Sequence, residues 1–342
     1  MNIKETFLKL TSRTYPYGNE NRLRYALPKD IKRDNHGNFY YQIGKSKTIF
    51  TCHLDTVSKK YEEVTHIIER NIIKTNGKTI LGADDKAGMC VLLYMIEQKI
   101  PGTYFFYIGE EVGCIGSKAA ASKDKDFYFK YDKIISFDRK DTCSIITHQS
   151  CERCCSNEFA EFLSKEFIDL GLELKPDDTG VGTDSAQFTN IIPECTNISV
   201  GYYKEHTHDE YQDIDFLEKL CMASCLINWD NLPVKRNTQI KEYKEYNYNS
   251  TNYNSWLEKN RAKKWNDKPK RRENNLNKVY GYEETLYASV EEDIKNVCKP
   301  PQISLISKKD LFTLYKDTIN DKHFSAKEYA IIEEQFVENY LL

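Results

Sequence analysis

The chain has 342 residues, of which 40% are hydrophobic and 30% charged, and its formal net charge is -3. That length supports one large domain with an extension, or two modest domains, and the near balance of charge excludes a whole-protein attraction to nucleic acid or to an anionic membrane. No stretch approaches the roughly 20 apolar residues of a membrane span. The start, Met1 to Thr6, lacks the pattern of a signal peptide, so a soluble cytoplasmic protein is expected.

Residues 3 to 11 and 19 to 27 predict helices. A turn at Asp34-Asn35-His36-Gly37-Asn38 precedes extended runs at Phe39-Tyr40-Tyr41 and Thr48-Ile49-Phe50-Thr51. A helix is expected from Ala87 to Lys99, then strands at Thr103 to Ile108 and Lys133 to Phe137, and a helix from Asn157 to Leu170. A strand at Thr196 to Val200 and a closing helix from Asp213 to about Asn231 complete the pattern. Strands alternating with helices define an α/β protein, with a mixed, mostly parallel central sheet sandwiched by helices. The apolar runs at 103 to 108 and 133 to 137 belong at central positions covered on both faces.

After Leu232-Pro233 the composition changes. Tyr243 to Tyr253 is rich in Tyr and Asn, and Lys259 to Arg272 carries eight Lys or Arg against one Asp. Too few aliphatic residues remain there to build a core, so 233 to 300 reads as a flexible linker. Ser307-x-x-Asp310 and Ser325-x-x-Glu328 look like capping boxes before apolar-periodic stretches, which predicts a small helical hairpin over 301 to 342. The expected division is therefore 1 to 232, 233 to 300 and 301 to 342. The basic run, with Trp256 and Trp265 beside it, could hold an acidic partner or nucleic acid, although a solvated linker explains it more simply.

The chemistry lies in the first part. His53-Leu54-Asp55, Gly82-Ala83-Asp84-Asp85-Lys86, Glu110-Glu111, Asp138 and His206-Thr207-His208-Asp209-Glu210 follow one another, most of them just after predicted strands. In a mostly parallel sheet those loops meet in the crevice at the carboxyl ends of the strands. Two imidazoles and three carboxylates suffice for two zinc-like cations about 3.5 to 4 Å apart, if one carboxylate bridges and another stays free as a base. Taken singly, each motif has a duller explanation: His-x-Asp fits a solvated loop, and Asp before a helix fits an N-cap.

The ordered set resembles the co-catalytic zinc exopeptidases, the clan of bacterial leucyl aminopeptidases, peptidase T and related deacylases. The matching residues are Thr51 to Val57 (TCHLDTV), Leu81 to Gly88 (LGADDKAG), Gly109 to Ser117 (GEEVGCIGS), Thr183-Asp184-Ser185 and His206-Thr207-x-x-Glu210, within roughly residues 1 to 232. The resemblance implies His53, Asp84, Glu111, Asp138 and His206 as ligands of two divalent ions, zinc first with cobalt or manganese as alternatives. Asp84 would bridge the ions, and relatives often have a non-proline cis bond after this Asp. Glu110 would be the general base, and Asp55 would orient His53 through its other ring nitrogen. The family spacing selects His206 over His208 and pairs it with Glu210. Only about 45 residues separate Asp138 from Asp184, too few for the lid domain of peptidase T-like relatives. A minimal single-domain form follows.

His148-x-x-Cys151-x-x-Cys154-Cys155 offers soft donors, yet it stands just before a predicted helix with no second Cys pair, and buried thiols fit better. The odd total of eleven cysteines likewise suits reduced thiols rather than a disulfide framework. The expected activity is metal-dependent cleavage of peptides by an aminopeptidase or dipeptidase. A deacylase of small N-acyl compounds is the alternative, and a non-catalytic binding protein on the same scaffold is the weakest. Without a lid domain to grip a substrate carboxylate, trimming from the amino end is expected.

Overall fold

A computed structural model of the chain describes residues 1–244. Strands β1 (Lys32–Arg33), β2 (Phe39–Ile43), β3 (Thr48–His53), β4 (His66–Glu69), β5 (Ile72–Thr75), β6 (Gly102–Tyr107) and β7 (Lys133–Arg139) come first. They are followed by β8 (Ser144–Ile146), β9 (His148–Gln149), β10 (Glu152–Arg153), β11 (Lys175–Asp177), β12 (Glu194–Ser199), β13 (Tyr202–Tyr203) and β14 (Tyr211–Asp213). The helices are α1 (Ile3–Leu10), α2 (Ala83–Glu97), α3 (Ile115–Lys123), α4 (Lys125–Tyr128), α5 (Asn157–Asp169) and α6 (Ile214–Ser224).

The main sheet has the order β1-β2-β6-β3-β7-β12-β8-β11. Its centre, β6-β3-β7-β12, is parallel, while β2 and β8 join it antiparallel. Every residue of β3, β6 and β12 is buried, as central strands covered on both faces require, although only β6 is a largely apolar run. Side chains alternate between two cores. Phe50, Tyr104, Phe106 and Phe137 face the core shared with α2, α5 and α6, whereas Ile49, Phe105, Tyr107 and Ile134 face Ala120 of α3 and Tyr128 of α4. The Phe50 ring lies 5.1 Å from that of Trp229 and 5.3 Å from that of Tyr104, a site where truncation to alanine typically costs about 3–5 kcal/mol.

The close approach of α2 to β7 depends on Gly88. A Cβ there would stand 1.8 Å from the Phe137 carbonyl oxygen and 2.6 Å from Asp85 Oδ1. No other residue fits without moving the helix that carries Asp84.

Several elements differ from the sequence expectation. Residues 19 to 27 form a 3-10 helix, Glu20–Tyr25; the helix expected from Ala87 is present, since the backbone of Asp84 and Asp85 is non-helical and α2 winds regularly only beyond them. The closing helix stops at Ser224, whose carbonyl accepts the Trp229 indole N–H at 2.8 Å; Trp229 itself sits in a separate 3-10 turn. A second sheet, β13-β14-β5-β4, and helices α3 and α4 went unpredicted.

Packing also continues past Leu232. The N–H groups of Lys235 and Arg236 donate to the buried Glu194 carboxylate at 2.6 and 3.0 Å, and the Arg236 guanidinium donates to the carbonyls of Thr189, Ile192 and Pro193. The expected linker beyond residue 244, with its basic run, and the expected hairpin over 301 to 342 lie outside the described residues. Among the described residues no helix is long and apolar enough to cross a membrane.

Candidate metal centre

Because β3, β6, β7 and β12 are parallel, their carboxyl ends open on one edge, and His53, Asp55, Glu110, Glu111 and Asp138 are delivered there by the strands or the first residues beyond them. Asp84 enters from the start of α2, and its peptide bond to Asp85 is cis. His206 comes from the loop between β13 and β14, at a backbone φ of 62°.

Two groups of ligand atoms result. His53, Asp84 and Asp138 form one and Asp84, Glu111 and His206 the other, each with its atoms within 4.8 Å of one another. Asp84 belongs to both. Its Oδ1 lies 2.9 Å from His53 Nε2, and its Oδ2 lies 3.1 Å from His206 Nε2. His53 Nε2 is 3.5 Å from Asp138 Oδ1, and His206 Nε2 is 3.1 Å from Glu111 Oε2. A pair of cations fits this donor set: the atoms are oxygen and imidazole nitrogen, and Glu111 Oε1 is buried with no hydrogen-bond partner. The arrangement is a site for two metal ions.

The surrounding groups hold these ligands in place. His53 Nδ1 lies 3.1 Å from the Asp55 carbonyl oxygen and 3.4 Å from its Oδ1. The Asp55 carboxylate also accepts the backbone N–H groups of Glu110 at 3.0 Å and Glu111 at 3.1 Å, so one buried side chain fixes both the imidazole and the glutamate pair. Lys86 Nζ donates to the carbonyl of Leu54 at 2.7 Å. Asp85 accepts the N–H of His53 at 3.2 Å and that of Gly88 at 2.9 Å, capping α2. Glu210 accepts the N–H groups of Leu81, Gly82 and Asp84 at 2.8, 2.8 and 3.0 Å. It therefore holds the bridging aspartate's backbone rather than His206.

Asp138 is fixed by residues that the motif reading left without a role. Asn197 exchanges two hydrogen bonds with its backbone at 2.9 and 2.8 Å, the Thr183 hydroxyl donates to its Oδ2, and the Tyr202 hydroxyl donates to its Oδ1 at 3.3 Å. Thr183 was visible as part of a motif. Asn197 and Tyr202 carried no signal, because Asn197 acts from the neighbouring strand β12 and Tyr202 from β13.

Glu110 stands apart from both groups, with Oε1 3.5 Å from Cys114 Sγ. Burial, with nearby Asp138, Asp184 and Glu111 adding to it against the opposing His53, pushes its carboxyl up to about 9. Burial likewise takes Asp184 up to about 8 and Glu210 to about 7. Burial alone would lower His53, yet Asp138, Asp55 and Asp84 raise it well above its usual value. Hydrogen bonds to Asp84 and Glu111 lift His206 to about 11.

That last shift has a consequence for metal uptake. Below about pH 11 the ion-free protein keeps His206 protonated, and a cation must displace that proton to gain the ring nitrogen. Affinity should therefore rise with pH across the neutral range, with protons released on binding. Zinc titrations by calorimetry in buffers of different ionisation enthalpy would measure the release; affinity independent of pH with no proton released would show that the ion-free site does not hold His206 protonated.

His208 is exposed and belongs to neither group. Cys154 and Cys155 are fully buried, with both thiols on the Ile146 carbonyl at 3.6 and 3.5 Å. His148 Nδ1 instead lies 3.0 Å from the Thr147 hydroxyl. Among the described residues these side chains form no ligand group.

No protein-family model matches the chain. An uncharacterized protein of Bacillus subtilis (strain 168), YqjE, is 47% identical over 77 residues, a match spanning 20% of this chain and 20% of that relative. Aminopeptidase PepT from Bacillus cereus ATCC 10987 superposes with a TM-score of 0.57 at 17% identity, covering 65% of this chain and 96% of its own. A tripeptidase from Staphylococcus aureus subsp. aureus mu50 gives 0.54 at 18% identity over 65% and 96%. The Pyrococcus horikoshii TET1 peptidase gives 0.50 at 17% over 66% and 98%. The chain thus has the α/β fold seen in these peptidases. Within that fold it carries a dinuclear metal site built on His53, Asp84, Asp138, Glu111 and His206.

Proposed function

We propose that residues 1–244 form a metal-dependent exopeptidase that removes residues from the amino end of peptides, with zinc as the metal and cobalt or manganese as possible substitutes. The observation that carries this reading is the shared carboxylate: each oxygen of Asp84 meets the imidazole of a different ligand group, and the partly buried Glu110, which belongs to neither group, lies alongside. Two cations held there would polarise a scissile carbonyl and lower the pKa of water toward neutrality.

The chain's own groups do the rest. Glu110 takes the proton from the attacking water and passes it to the leaving nitrogen. Its high affinity for a proton describes the ion-free site, and positive charge in the two ligand groups draws it down toward the range of a working base. Asp55 keeps His53 and the Glu110-Glu111 backbone in register, so a small displacement of one is shared by the others. Cys52, Cys90, Cys154, Cys155, Cys195 and Cys221 are free, buried thiols, which supports a reducing, cytoplasmic setting.

An ammonium group finds negative charge next to Glu110, Glu111 and Asp138 without further structure. Acetylating the substrate amine should therefore reduce kcat/KM by about a hundredfold or more, while amidating the substrate's C-terminus should change it little. Mass spectrometry of a peptide library with added zinc, cobalt or manganese would show which end is shortened. Preference for acetylated substrates together with rejection of C-terminal amides would overturn the aminopeptidase reading in favour of a deacylase.

A further inference from the structure

The edge of the main sheet opposite the metal centre holds a cavity of another character. Lys133 opens β7 and Thr48 opens β3, and the two are register partners, so the amino ends of these parallel strands lie side by side. Five residues of strand, about 16 Å, run from Lys133 to Asp138 in the first ligand group. The segments that lead into the two strands are tied together, because the Lys47 carbonyl accepts the N–H groups of Asp132 at 2.9 Å and Lys133 at 3.3 Å. They frame a cavity of ≈410 Å³ that Lys45, Lys47, Lys130 and Lys133 line, with Asp132 and Asp230. Four ammonium groups against two carboxylates leave two positive charges in surplus.

Lys133 is 2% exposed, yet its ammonium makes no hydrogen bond and no ion pair with any described residue. Lysine is almost never buried without a partner. The carboxylates whose charge reaches it are engaged elsewhere: Asp132 pairs with Lys47 at 3.2 Å, Asp230 accepts the Ser46 hydroxyl at 2.7 Å, and Glu194 accepts the N–H groups of Ser156, Lys235 and Arg236. Burial accordingly lowers the pKa of the Lys133 ammonium, with Asp132, Asp230 and Glu194 opposing. A buried, unpaired ammonium costs free energy that an anion seated against it would recover. We propose that this cavity binds a phosphoryl dianion, held between the buried Lys133 and the exposed Lys45. The surplus of two positive charges matches a phosphate dianion, whereas a monocarboxylate would leave one charge unanswered. Ammonium groups bind phosphate as point charges and need no bidentate geometry. The volume lies in the range of small-molecule sites, so a phosphate ester with a small organic body fits as well as free phosphate.

The test is calorimetric titration of the full-length chain at constant ionic strength, with its metals in place and after chelation. Inorganic phosphate and AMP are the probes, and the tighter of the two tells free phosphate from an ester. The cavity should take one anion per chain with the same affinity in both metal states, because the centre lies at the far end of the strands. Lys133→Met should weaken that binding by about tenfold or more, and Lys45→Gln by about threefold or more. Lys45 is exposed and bonded to no described residue, so Lys45→Gln tests the cavity even if Lys133→Met does not fold. Binding confined to the metal-loaded chain would place the anion on the metals and overturn the proposal. So would the absence of saturable binding, or an affinity that Lys45→Gln and a folded Lys133→Met both leave unchanged.

Discussion

Glu110→Gln should reduce kcat by about a thousandfold or more while leaving two metal ions bound per chain. Glutamine keeps the shape of the side chain and the backbone N–H that Asp55 accepts at 3.0 Å, and neither ligand group includes residue 110. What it removes is the ability to take and return a proton. Steady-state kinetics beside elemental analysis of the same preparation would separate the two effects. Near-normal turnover with a full metal complement would mean that the proton travels by another group. Buried Asp184 would be the first to test, since its Oδ1 has no hydrogen-bond partner.

The parts of this centre that were legible in the sequence are those in which chemistry and chain position coincide. His53, Asp55, Glu110, Glu111 and Asp138 lie at or just beyond the ends of apolar strands, and continuous apolar runs such as Gly102–Tyr107 are strong signals. The regular part of α2 was visible by its composition, but its first turn was not, because the conformation of Asp84 and Asp85 is set by Glu210 and His53, distant in sequence. Helix α3, IGSKAAASK, has almost no apolar periodicity and is placed by tertiary packing of Gly116, Ala120 and Ala121. The hairpin of β4 and β5 is mostly solvent-facing on β4, so alternation there was weak, and its pairing partner β14 arrives well over a hundred residues later. Asn197 and Tyr202 illustrate the general difficulty. Groups that steady a ligand from the next strand are set by sheet order, and that order was not itself encoded in any motif.

Asp84→Ala should lose both metal ions and essentially all activity, a larger defect than removal of any other single ligand. The reason is geometric: Asp84 is the one residue common to the two groups, and its loss leaves His53 with Asp138 on one side and His206 with Glu111 on the other. Two donors make a weak site for a divalent ion that ordinarily takes four. His206→Ala, by contrast, strips only the second group and should keep one ion on His53, Asp84 and Asp138. The fold should survive both changes. The backbone at residue 84, with φ -78° and ψ 104°, is open to alanine, and its N–H to Glu210 at 3.0 Å needs no side chain. Metal content by elemental analysis after dialysis against submicromolar zinc, with circular dichroism as the control for folding, gives the comparison directly. Two ions retained by a folded Asp84→Ala protein would show that the bridge lies elsewhere. One ion retained would show that the groups bind independently, and the shared-carboxylate reading of the centre would have to be abandoned.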